Sequence, residues 1–282
     1  MAMSSASPRV WFITGASSGF GRALTEVALS QGDLVVSTAR NPDSLADLAA
    51  RVPDSLRVLP LDVTQAASIP GVVQQAIAEF GRIDVLVNNA GRGLIGSVEE
   101  TSDAETRAIF ETNFFGPAAV LRALLPHFRE RKAGHIVQMG AAAAIANYAG
   151  FGAYGAAKGA LSSLTESLAQ ELKPLGIRVT LVEPGPFRTD FVGRSMTRAA
   201  TSLLDYANTS ARFGQYLAKI DGKQPGNPIL AAEAIVKLVH SGEAPLRFVL
   251  GRYAIDKTRK TFASRERELA QHEAAGAACD GP

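Results

Sequence analysis

One stretch decides the fold: Thr14-Gly15-Ala16-Ser17-Ser18-Gly19-Phe20-Gly21, which joins an apolar run to an amphipathic one. The run before it, Val10-Trp11-Phe12-Ile13, has the composition of a buried strand, and residues 22–31 after it have helical periodicity. Glycines allow a sharp turn and bring backbone N–H groups close to a phosphate, which the N-terminus of a helix favours. The stretch therefore predicts a strand–turn–helix unit with a phosphate-binding loop. An ordinary glycine-rich turn is the alternative.

Short apolar runs alternate with amphipathic stretches over most of the remaining chain. Strands are predicted at residues 34–36, 56–59, 85–87, 135–137, 178–182 and 246–250, and helices at 43–51, 69–80, 105–131, 154–173 and 231–240. The strands lack strict polar alternation, as is typical of strands covered on both faces. This order predicts a doubly wound parallel sheet of the α/β class.

The domain organisation is predicted from length and composition. The 282 residues contain no linker that marks a second domain, so we expect a single domain over residues 1–282, with the predicted phosphate-binding loop near its start. Its core is predicted at residues 9–183 and 229–255. Pro, Gly, Ser and Asn recur over residues 184–228, which predicts an irregular substrate lid. Residues 256–282 are predicted to form a charged helical extension.

Charge and cysteine content exclude several classes of protein. Lys+Arg 29 against Asp+Glu 27 gives a net charge of +2, which argues against nucleic-acid and membrane-surface binding. The single cysteine, Cys279, excludes a disulfide framework, and the four histidines lack ligand spacing, so no metal site is predicted. Residues 1–8 lack the apolar core of a signal peptide. The uncharged stretch from His135 to Lys158 is rich in Ala and Gly, so we interpret it as buried backbone and expect a cytoplasmic protein.

The end of the second predicted strand bears on which dinucleotide binds. Residues 37–41, Ser-Thr-Ala-Arg-Asn, include no Asp or Glu, the residues that usually bond the ribose 2′-hydroxyl of NAD. An arginine can instead pair with a 2′-phosphate through two hydrogen bonds. The sequence thus favours NADP(H) over NAD(H) through Arg40. Arg40 pointing into solvent is the alternative.

Tyr154 and Lys158 are four residues apart on a predicted helix and so share one face. An ammonium about 4 Å from the phenol would favour the phenolate by roughly 4 kcal/mol at an effective dielectric of about 20, or roughly three pKa units. We therefore expect the pKa of Tyr154 to approach about 7, where it can exchange a proton with a carbonyl or alcohol oxygen. A surface lysine beside a half-buried tyrosine is the alternative.

A combination of motifs resembles the short-chain dehydrogenase/reductase family. The motifs are Thr14-Gly15-x-x-x-Gly19-x-Gly21, Asn88-Asn89-Ala90-Gly91, Asn113, Tyr154-x-x-x-Lys158 and Pro184-Gly185-x-x-x-Thr189, in the family's order over about residues 9–190. The resemblance implies a single Rossmann domain and reversible hydride transfer between a nicotinamide and a carbonyl or alcohol carbon. It also implies a homodimer or homotetramer that assembles through the long helices at 105–131 and 154–173.

The same resemblance implies roles for individual residues. Tyr154 would be the acid/base catalyst, Lys158 would lower its pKa and bind the nicotinamide ribose, and Asn113 would support a water-linked proton relay. As structural alternatives, Asn88-Asn89 forms a turn and Asn113 bridges a bend in a long helix. The candidate cofactor-binding residues are Gly15, Ser17, Ser18, Gly19, Phe20, Gly21, Arg40, Asp62, Val63, Asn89, Ala90, Gly91, Tyr154, Lys158, Pro184, Gly185 and Thr189.

The sequence departs from the family pattern thirteen residues before Tyr154. The family usually has a serine there that orients the substrate oxygen, whereas this chain has Ala141. Losing one preorganised donor of this kind typically costs about 10²–10³ in rate. Three explanations stay open: a deliberate inactivating or pocket-enlarging substitution, an enzyme that is slow or uses the tyrosine as sole donor, and a non-catalytic NADP(H)-binding regulatory or scaffold protein.

Apolar side chains in the predicted lid indicate the substrate class. An apolar or aromatic ketone, aldehyde or alcohol would suit them, and the alternative is that they pack the lid onto the body. The sequence as a whole thus predicts an NADP(H)-dependent oxidoreductase. The lid residues are Phe191, Val192, Met196, Leu203, Leu204, Tyr206, Phe213, Tyr216 and Leu217, and Ile145, Tyr148 and Phe151 are expected to face them.

Overall fold

The computed structural model describes residues 7–281 and confirms the predicted α/β class. Residues 1–6, which belong to the segment predicted to hold no signal peptide, and residue 282 lie outside the described part. The strands are β1 (Val10–Ile13), β2 (Leu34–Ala39), β3 (Leu56–Pro60), β4 (Val85–Asn88), β5 (Gly93–Ile95), β6 (Gly134–Met139), β7 (Ile177–Pro184), β8 (Met196–Arg198) and β9 (Arg247–Leu250). The helices are α1 (Gly19–Ser30), α2 (Ala46–Arg51), α3 (Ile69–Phe80), α4 (Asp103–Phe110), α5 (Gly116–Arg131), α6 (Ala142–Ile145), α7 (Gly152–Leu172), α8 (Arg212–Ile220), α9 (Pro228–Ser241) and α10 (Arg252–Ala277).

Seven strands form one parallel sheet in the order β3-β2-β1-β4-β6-β7-β9. The chain first builds outward from β1 to β2 and β3, then crosses back so that β4 pairs with the other side of β1. The loops that leave β1 and β4 therefore diverge, and a crevice opens beyond their carboxyl ends. Ligands of doubly wound sheets bind in that crevice.

Alternate residues of the strands enter two apolar cores, one on each face of the sheet. Trp11 and Ile13 pack against α1 and α9, whereas Val10 and Phe12 pack against α3, α5 and α7. All four side chains are fully buried. Because both faces of the sheet are buried, the strand sequences are continuous apolar runs. The packing on both faces also makes the sheet a rigid base for the loops at its edge.

The prediction of one continuous helix over residues 105–131 is wrong in one respect, because the structure has two helices there with an irregular turn between them. α4 and α5 are separated by a π-helical turn over Glu111–Phe115. Pro117 has no N–H to bond to the carbonyl of Asn113, so the regular helical ladder opens there. The turn moves Asn113 toward the carboxyl edge of the sheet, where its side chain bonds the loop after β4.

The prediction that residues 184–228 are irregular is also wrong in part. β8 pairs in parallel with β5, a strand that the sequence did not indicate, and α8 follows within the same segment. Two three-residue strands are too short to produce a periodic pattern. We call residues 184–228 the lid, as its elements cover the crevice.

The C-terminal helix begins earlier than the predicted extension at 256. α10 starts at Arg252, and its first turns pack on the body, with Ala254 fully buried and Arg265 Nη2 donating to the carbonyl of Ile145 at 2.9 Å. The uncharged stretch predicted as buried backbone forms β6, α6 and the start of α7. Within residues 7–281, no helix combines the length and the apolar character that crossing a membrane requires.

Candidate active site

A cavity of about 660 Å³ occupies the crevice between the carboxyl ends of the strands and the lid. The glycine loop lines one part of it, and Tyr154 and Lys158 of α7 line another. Of the candidate site residues, Gly21 and Asn113 are the two that do not line it; both are buried behind its wall. The topology thus brings candidate residues from six separate segments to one space.

The glycine loop is locked to the end of β4 by side chains that bond backbone. Asn89 Nδ2 donates to the carbonyl oxygens of Thr14 and Gly15, at 2.9 Å each. In return, Thr14 Oγ1 accepts from the backbone N–H groups of Asn89 and Ala90, at 3.0 and 3.1 Å. Asn89 therefore shapes the glycine loop through its amide nitrogen while it also lines the cavity.

Two glycines of the loop have no room for a side chain. Gly15 has φ +66°, and a Cβ there would lie 2.7 Å from Cα of Ala90. A Cβ on Gly21 would overlap the carbonyl oxygen of Gly15 and lie 2.5 Å from Asn89 Nδ2. α1 begins beside them without a side-chain cap and without an acidic residue in its first turn. Its N-terminus is left open toward the cavity, as an anion-binding helix end requires.

The remaining candidate cofactor residues line the same crevice. Arg40 lies just past β2 and is exposed, and Asp62 follows β3. One oxygen of the Asp62 carboxylate accepts from Thr64 N and Oγ1, at 2.9 and 2.8 Å, which fixes this turn. Thr189 packs against the glycine loop, since a Cβ on Gly19 would lie 3.2 Å from its Cβ. Val63, Ala90, Gly91, Pro184 and Gly185 also line the cavity.

Tyr154 and Lys158 lie one turn apart on α7, and both are buried. The ring of Tyr154 is 5.0 Å from that of Phe151 and 5.6 Å from that of Phe191, centroid to centroid. Lys158 Nζ donates to the carbonyl oxygen of Met139 at the end of β6, at 2.7 Å. The sheet thus holds the ammonium in place, while aromatic rings surround the phenol.

The expected lowering of the Tyr154 pKa is wrong for this structure. Burial raises the pKa of Tyr154 well above its ordinary value, with no compensating charge, and burial lowers the pKa of Lys158 to about 8. Both changes arise because an apolar environment disfavours the charged form of either group. A lower pKa would require the ammonium of Lys158 beside the Tyr154 hydroxyl, whereas that ammonium bonds the carbonyl of Met139.

Asn113 is fully buried and bonds only backbone. Its Nδ2 donates to the carbonyls of Arg92 and Ile109, at 2.8 and 3.1 Å, and its Oδ1 accepts from Arg92 N at 3.2 Å. A Cβ on Gly91 would lie 2.9 Å from Asn113 Oδ1 and 3.6 Å from Lys158 Nζ. Asn113 therefore positions the Gly91–Arg92 turn beside Lys158, and it also bridges the helix bend that was its structural alternative.

Ala141 lies at the end of β6, buried and lining the cavity. It packs in one apolar cluster with Ala143, Phe151 and Tyr154. Partly buried Tyr148 and the lid residues Phe191, Met196, Phe213 and Leu217 complete the cluster. The position that usually carries a serine thus faces the same space as Tyr154, in apolar surroundings.

The predicted lid residues divide into two groups. Phe191, Val192, Met196, Phe213, Tyr216 and Leu217 line the cavity, as do Tyr148 and Phe151 opposite them. Leu203, Leu204 and Tyr206 do not, and neither does Ile145. Leu204 is 93% exposed, and the Tyr206 hydroxyl donates to Glu99, so this part of the lid turns away from the cavity.

Several cavity residues were missed by the sequence reasoning. Arg194 reaches from the lid to Ser17 Oγ at 3.4 Å, Phe187 packs its ring 5.0 Å from that of Phe20, and Tyr253 enters from α10. Arg92 also lines the cavity, and its place directly after Asn88-Asn89-Ala90-Gly91 is the signal that could have found it. Within residues 7–281, no group of three or more His, Cys, Asp or Glu side chains is arranged to hold a metal ion.

Comparison with known proteins agrees with this geometry. Oxidoreductase BOA17 of Botryotinia fuckeliana is 37% identical over 89% of this chain and 92% of its own length. The 3-ketodihydrosphingosine reductase of Bacteroides thetaiotaomicron is 34% identical over 86% of this chain and 88% of its own. The crystal structure of a short-chain dehydrogenase from Streptomyces avermitilis superposes with a TM-score of 0.92 at 42% identity, covering 98% of this chain and all of that one.

The segment that carries the motifs is also the segment that a family model recognises. The model described as short chain dehydrogenase matches residues 9–199, which contain the glycine loop, Tyr154, Lys158 and Thr189. The match spans more than half of the chain and agrees with the sheet order and with the relatives. The chain therefore belongs to the short-chain dehydrogenase family and is an oxidoreductase of the Rossmann fold.

Proposed function

We propose that the protein interconverts a ketone or aldehyde and the corresponding alcohol with NADP(H), on an apolar or aromatic substrate. The observation that carries the proposal is the continuity of one cavity from the glycine loop to Tyr154 and Lys158. A dinucleotide bound along that cavity and a carbonyl compound beside Tyr154 would meet in it. The core, the lid and α10 all contribute to its wall, so we treat them as one catalytic unit.

The residues present fit a dinucleotide. The glycine loop has no space for side chains, and the uncapped N-terminus of α1 opens beside it. Gly15, Ser17, Ser18, Gly19 and Phe20 would hold the pyrophosphate, and Asp62 and Val63 would border the adenine. Asn89, Ala90, Gly91, Pro184, Gly185 and Thr189 would border the nicotinamide half. When bound, the nicotinamide supplies the carbon that gives or accepts a hydride.

NADP(H) rather than NAD(H) is proposed because of the charge at the end of β2. Arg40 lines the cavity at that point, and residues 37–41 offer no carboxylate to a ribose 2′-hydroxyl. A guanidinium pairs with a phosphate through two hydrogen bonds, whereas a carboxylate would repel it. The preference therefore depends on one exposed side chain.

Tyr154 is proposed as the proton donor in the reductive direction. Its raised pKa keeps the hydroxyl protonated at neutral pH, so it can donate a proton to the oxygen of a carbonyl that receives a hydride. The reverse reaction needs the phenolate, which the burial of Tyr154 disfavours. Asn113 supports this arrangement by fixing the Gly91–Arg92 turn against Lys158.

The substrate class is proposed from the apolar wall around Tyr154. Phe151, Phe191, Phe213, Met196 and Leu217 pack there. Ala141 and Ala143 add small side chains, which leave room for a bulky substrate. The relative in Bacteroides thetaiotaomicron is named for the reduction of a ketone, which agrees with this class of reaction.

A second candidate function is non-catalytic binding of NADP(H) by a regulatory or scaffold protein. Ala141 favours it, because the substrate oxygen lacks the donor that the family's serine usually provides. The burial of both Tyr154 and Lys158 at the cavity wall favours catalysis instead, since a binding protein has no need of a titratable pair there.

A panel of apolar and aromatic ketones, followed through the loss of NADPH absorbance, tests the proposal. We expect measurable reduction of at least one bulky ketone and a higher kcat/KM with NADPH than with NADH. NADP(H) binding without turnover of any panel member would favour the second function. Tighter binding of NAD(H) would overturn the cofactor assignment.

We also propose a homodimer or homotetramer, as the family resemblance implies. Light scattering should give a particle of two or four times 29.6 kDa. A particle of the monomer mass would remove this proposal.

A further inference from the structure

Two tyrosine hydroxyls meet at the substrate side of the cavity. Tyr148 Oη and Tyr253 Oη are 2.9 Å apart, and both residues line the cavity. Tyr148 comes from the segment between α6 and α7, whereas Tyr253 comes from α10. The pair is therefore a polar spot next to the apolar cluster around Tyr154, and it is partly open to solvent because Tyr253 is 45% exposed.

The ring of Tyr148 is held by one neighbour from the lid and one from α10. Phe213 of the lid stacks on it, with centroids 5.0 Å apart and planes 10° from parallel. Lys257 of α10 places its Nζ over the ring, 3.1 Å from the centroid. Burial lowers the pKa of Lys257 to about 8, so most of it still carries a charge at pH 7. Burial raises the pKa of Tyr148 well above its ordinary value, so its hydroxyl stays protonated and can act as a hydrogen-bond donor.

The Tyr148–Tyr253 pair has hydrogen-bonding groups that its mutual hydrogen bond does not use. In a hydrogen bond between two hydroxyls, one O–H is used as donor and the other keeps its hydrogen free. Within residues 7–281, the 2.9 Å contact is the hydrogen bond that the structure gives to these two hydroxyls. The pair thus has one O–H left to donate and lone pairs left to accept, which matches a hydroxyl group on a ligand.

The position of the pair relative to Tyr154 sets the span of such a ligand. The ring of Phe151 is 5.0 Å from that of Tyr154 and 6.2 Å from that of Tyr148. Tyr154 and Tyr148 are thus both neighbours of Phe151. A ring-sized apolar body packed on Phe151 could reach Tyr154 with one end and the tyrosine pair with the other.

We propose that the Tyr148–Tyr253 pair is a specificity subsite that binds a second oxygen on the substrate. The preferred substrates are then apolar carbonyl compounds that carry a hydroxyl group on the far side of a ring from the reacting carbon. The proposal rests on the proposed function, because it places the reacting carbonyl at Tyr154. Tyr148 and Tyr253 are specificity-determining residues in this scheme, with no part in the proton transfer itself.

Two ketones that differ by one hydroxyl test the subsite. 4-Phenylbutan-2-one and 4-(4-hydroxyphenyl)butan-2-one are titrated by calorimetry into the protein loaded with oxidised NADP⁺, which has no hydride to transfer to them. Their turnover with NADPH is measured separately. We expect the hydroxylated ketone to bind about five- to tenfold more tightly, as one net hydrogen bond predicts. Tyr148→Phe and Tyr253→Phe should each lower that preference, because the hydroxyl that remains loses the neighbour that orients it. The double variant should remove the preference, and the Kd of 4-phenylbutan-2-one should stay nearly unchanged in all three variants.

The matched control is Tyr206→Phe. Tyr206 lies in the lid but outside the cavity, where its hydroxyl donates to Glu99, so this variant should keep the preference. A pair that merely braces α10 against the body would lower the melting temperature in the two cavity variants while the preference remained. That result would overturn the proposal, and so would equal Kd values in the wild type or no binding of either ketone at millimolar concentration.

Failure of the subsite and failure of the proposed function give different results. Turnover of both ketones with equal Kd and kcat/KM values would contradict the proposed subsite but not the proposed reductase activity. The predicted preference in binding, without any NADPH consumption, would remove the reductase and leave the subsite as a ligand-binding feature.

Discussion

The glycine loop and the lid face the same cavity, but different kinds of contact hold them. The loop is fixed by backbone geometry, by Thr14 and by Asn89, all within the buried edge of the sheet. The lid is fixed by carboxylates of the segment after β5: Tyr206 donates to Glu99, and Leu203 N and Ser210 Oγ donate to Glu100. A loop fixed by backbone contacts can bind any ligand that carries the same phosphates. A lid held by side-chain hydrogen bonds can instead adjust its position to different substrates.

The chemistry lies where these two regions meet. Lys158 is held by the sheet, through the carbonyl of Met139, whereas Tyr154 contacts Phe191 of the lid. The cofactor region thus positions the cation and the lid helps to bury the phenol. Substitutions at this junction should have the largest effects, and substitutions farther into either region should separate binding of the cofactor from binding of the substrate.

Tyr154→Phe should have the largest effect on turnover. Removing the hydroxyl removes the proposed proton donor, and we expect kcat to fall by about 10²–10⁴-fold. The glycine loop is untouched, so the Kd for NADPH, measured by fluorescence titration, should change little. Turnover within tenfold of the wild type would show that another group donates the proton.

Ala141→Ser should raise the rate by about 10²-fold, because the new hydroxyl would add a donor beside Tyr154 in an apolar wall. Ala143→Ser is the matched control, since Ala143 is equally buried in the same cluster, and we expect no comparable gain from it. Steady-state reduction of one ketone by both variants makes the comparison. An active enzyme with no change in Ala141→Ser would mean that the tyrosine is the sole donor. No turnover in either form, with NADP(H) still bound, would favour the non-catalytic function.

Arg40→Ser separates the two dinucleotides. Loss of a charge-assisted pair with the 2′-phosphate should weaken NADPH binding by about 10- to 100-fold and leave NADH binding nearly unchanged. Arg51→Ser on α2 is the control, since Arg51 is also exposed but lies outside the cavity. An equal loss of affinity for NADPH and NADH would mean that Arg40 does not bind the 2′-phosphate.

The cofactor region was largely predictable from sequence, and the lid was not, for a physical reason. β1, the glycine loop and α1 follow from local pattern, because strand, turn and helix are adjacent in the chain. β5 and β8 have three residues each and are separated by about a hundred positions, so no local pattern indicates their pairing. Tyr253 was missed for the same reason, as nothing near it in sequence shows that α10 reaches the cavity.

The error over Tyr154 teaches a related point. A spacing of four residues places two side chains on one helix face, but it does not say which atoms meet. Lys158 bonds Met139, a residue nineteen positions earlier, because β6 ends beside α7. Burial then acts on Tyr154 and Lys158 separately and moves their pKa values in opposite directions. Spacing alone could predict the shared face but not the partner.

Glu100→Gln tests how the lid is attached and should have the smallest effect. Hydrogen bonds from Leu203 N, Ser97 N and Ser210 hold the pKa of the buried Glu100 carboxyl at about 2. A neutral amide accepts through one oxygen only, so we expect lid amides at 200–210 to exchange hydrogen roughly tenfold faster, with Kd for NADPH unchanged. Glu99→Gln is the control. Glu99 is exposed and accepts one hydrogen bond, from Tyr206, so this variant should cause a smaller increase in hydrogen exchange.

The sign of the pH dependence sharpens this test. A carboxyl whose pKa is lowered by folding contributes stability above its ordinary pKa and loses that contribution as the pH falls toward the folded value. The wild-type lid should therefore lose protection between about pH 4.5 and pH 2, the ordinary and the folded values. Glu100→Gln should show a flatter profile over this window. Equal profiles in both proteins would mean that backbone contacts hold the lid as they hold the glycine loop, and the contrast between the two regions would no longer stand.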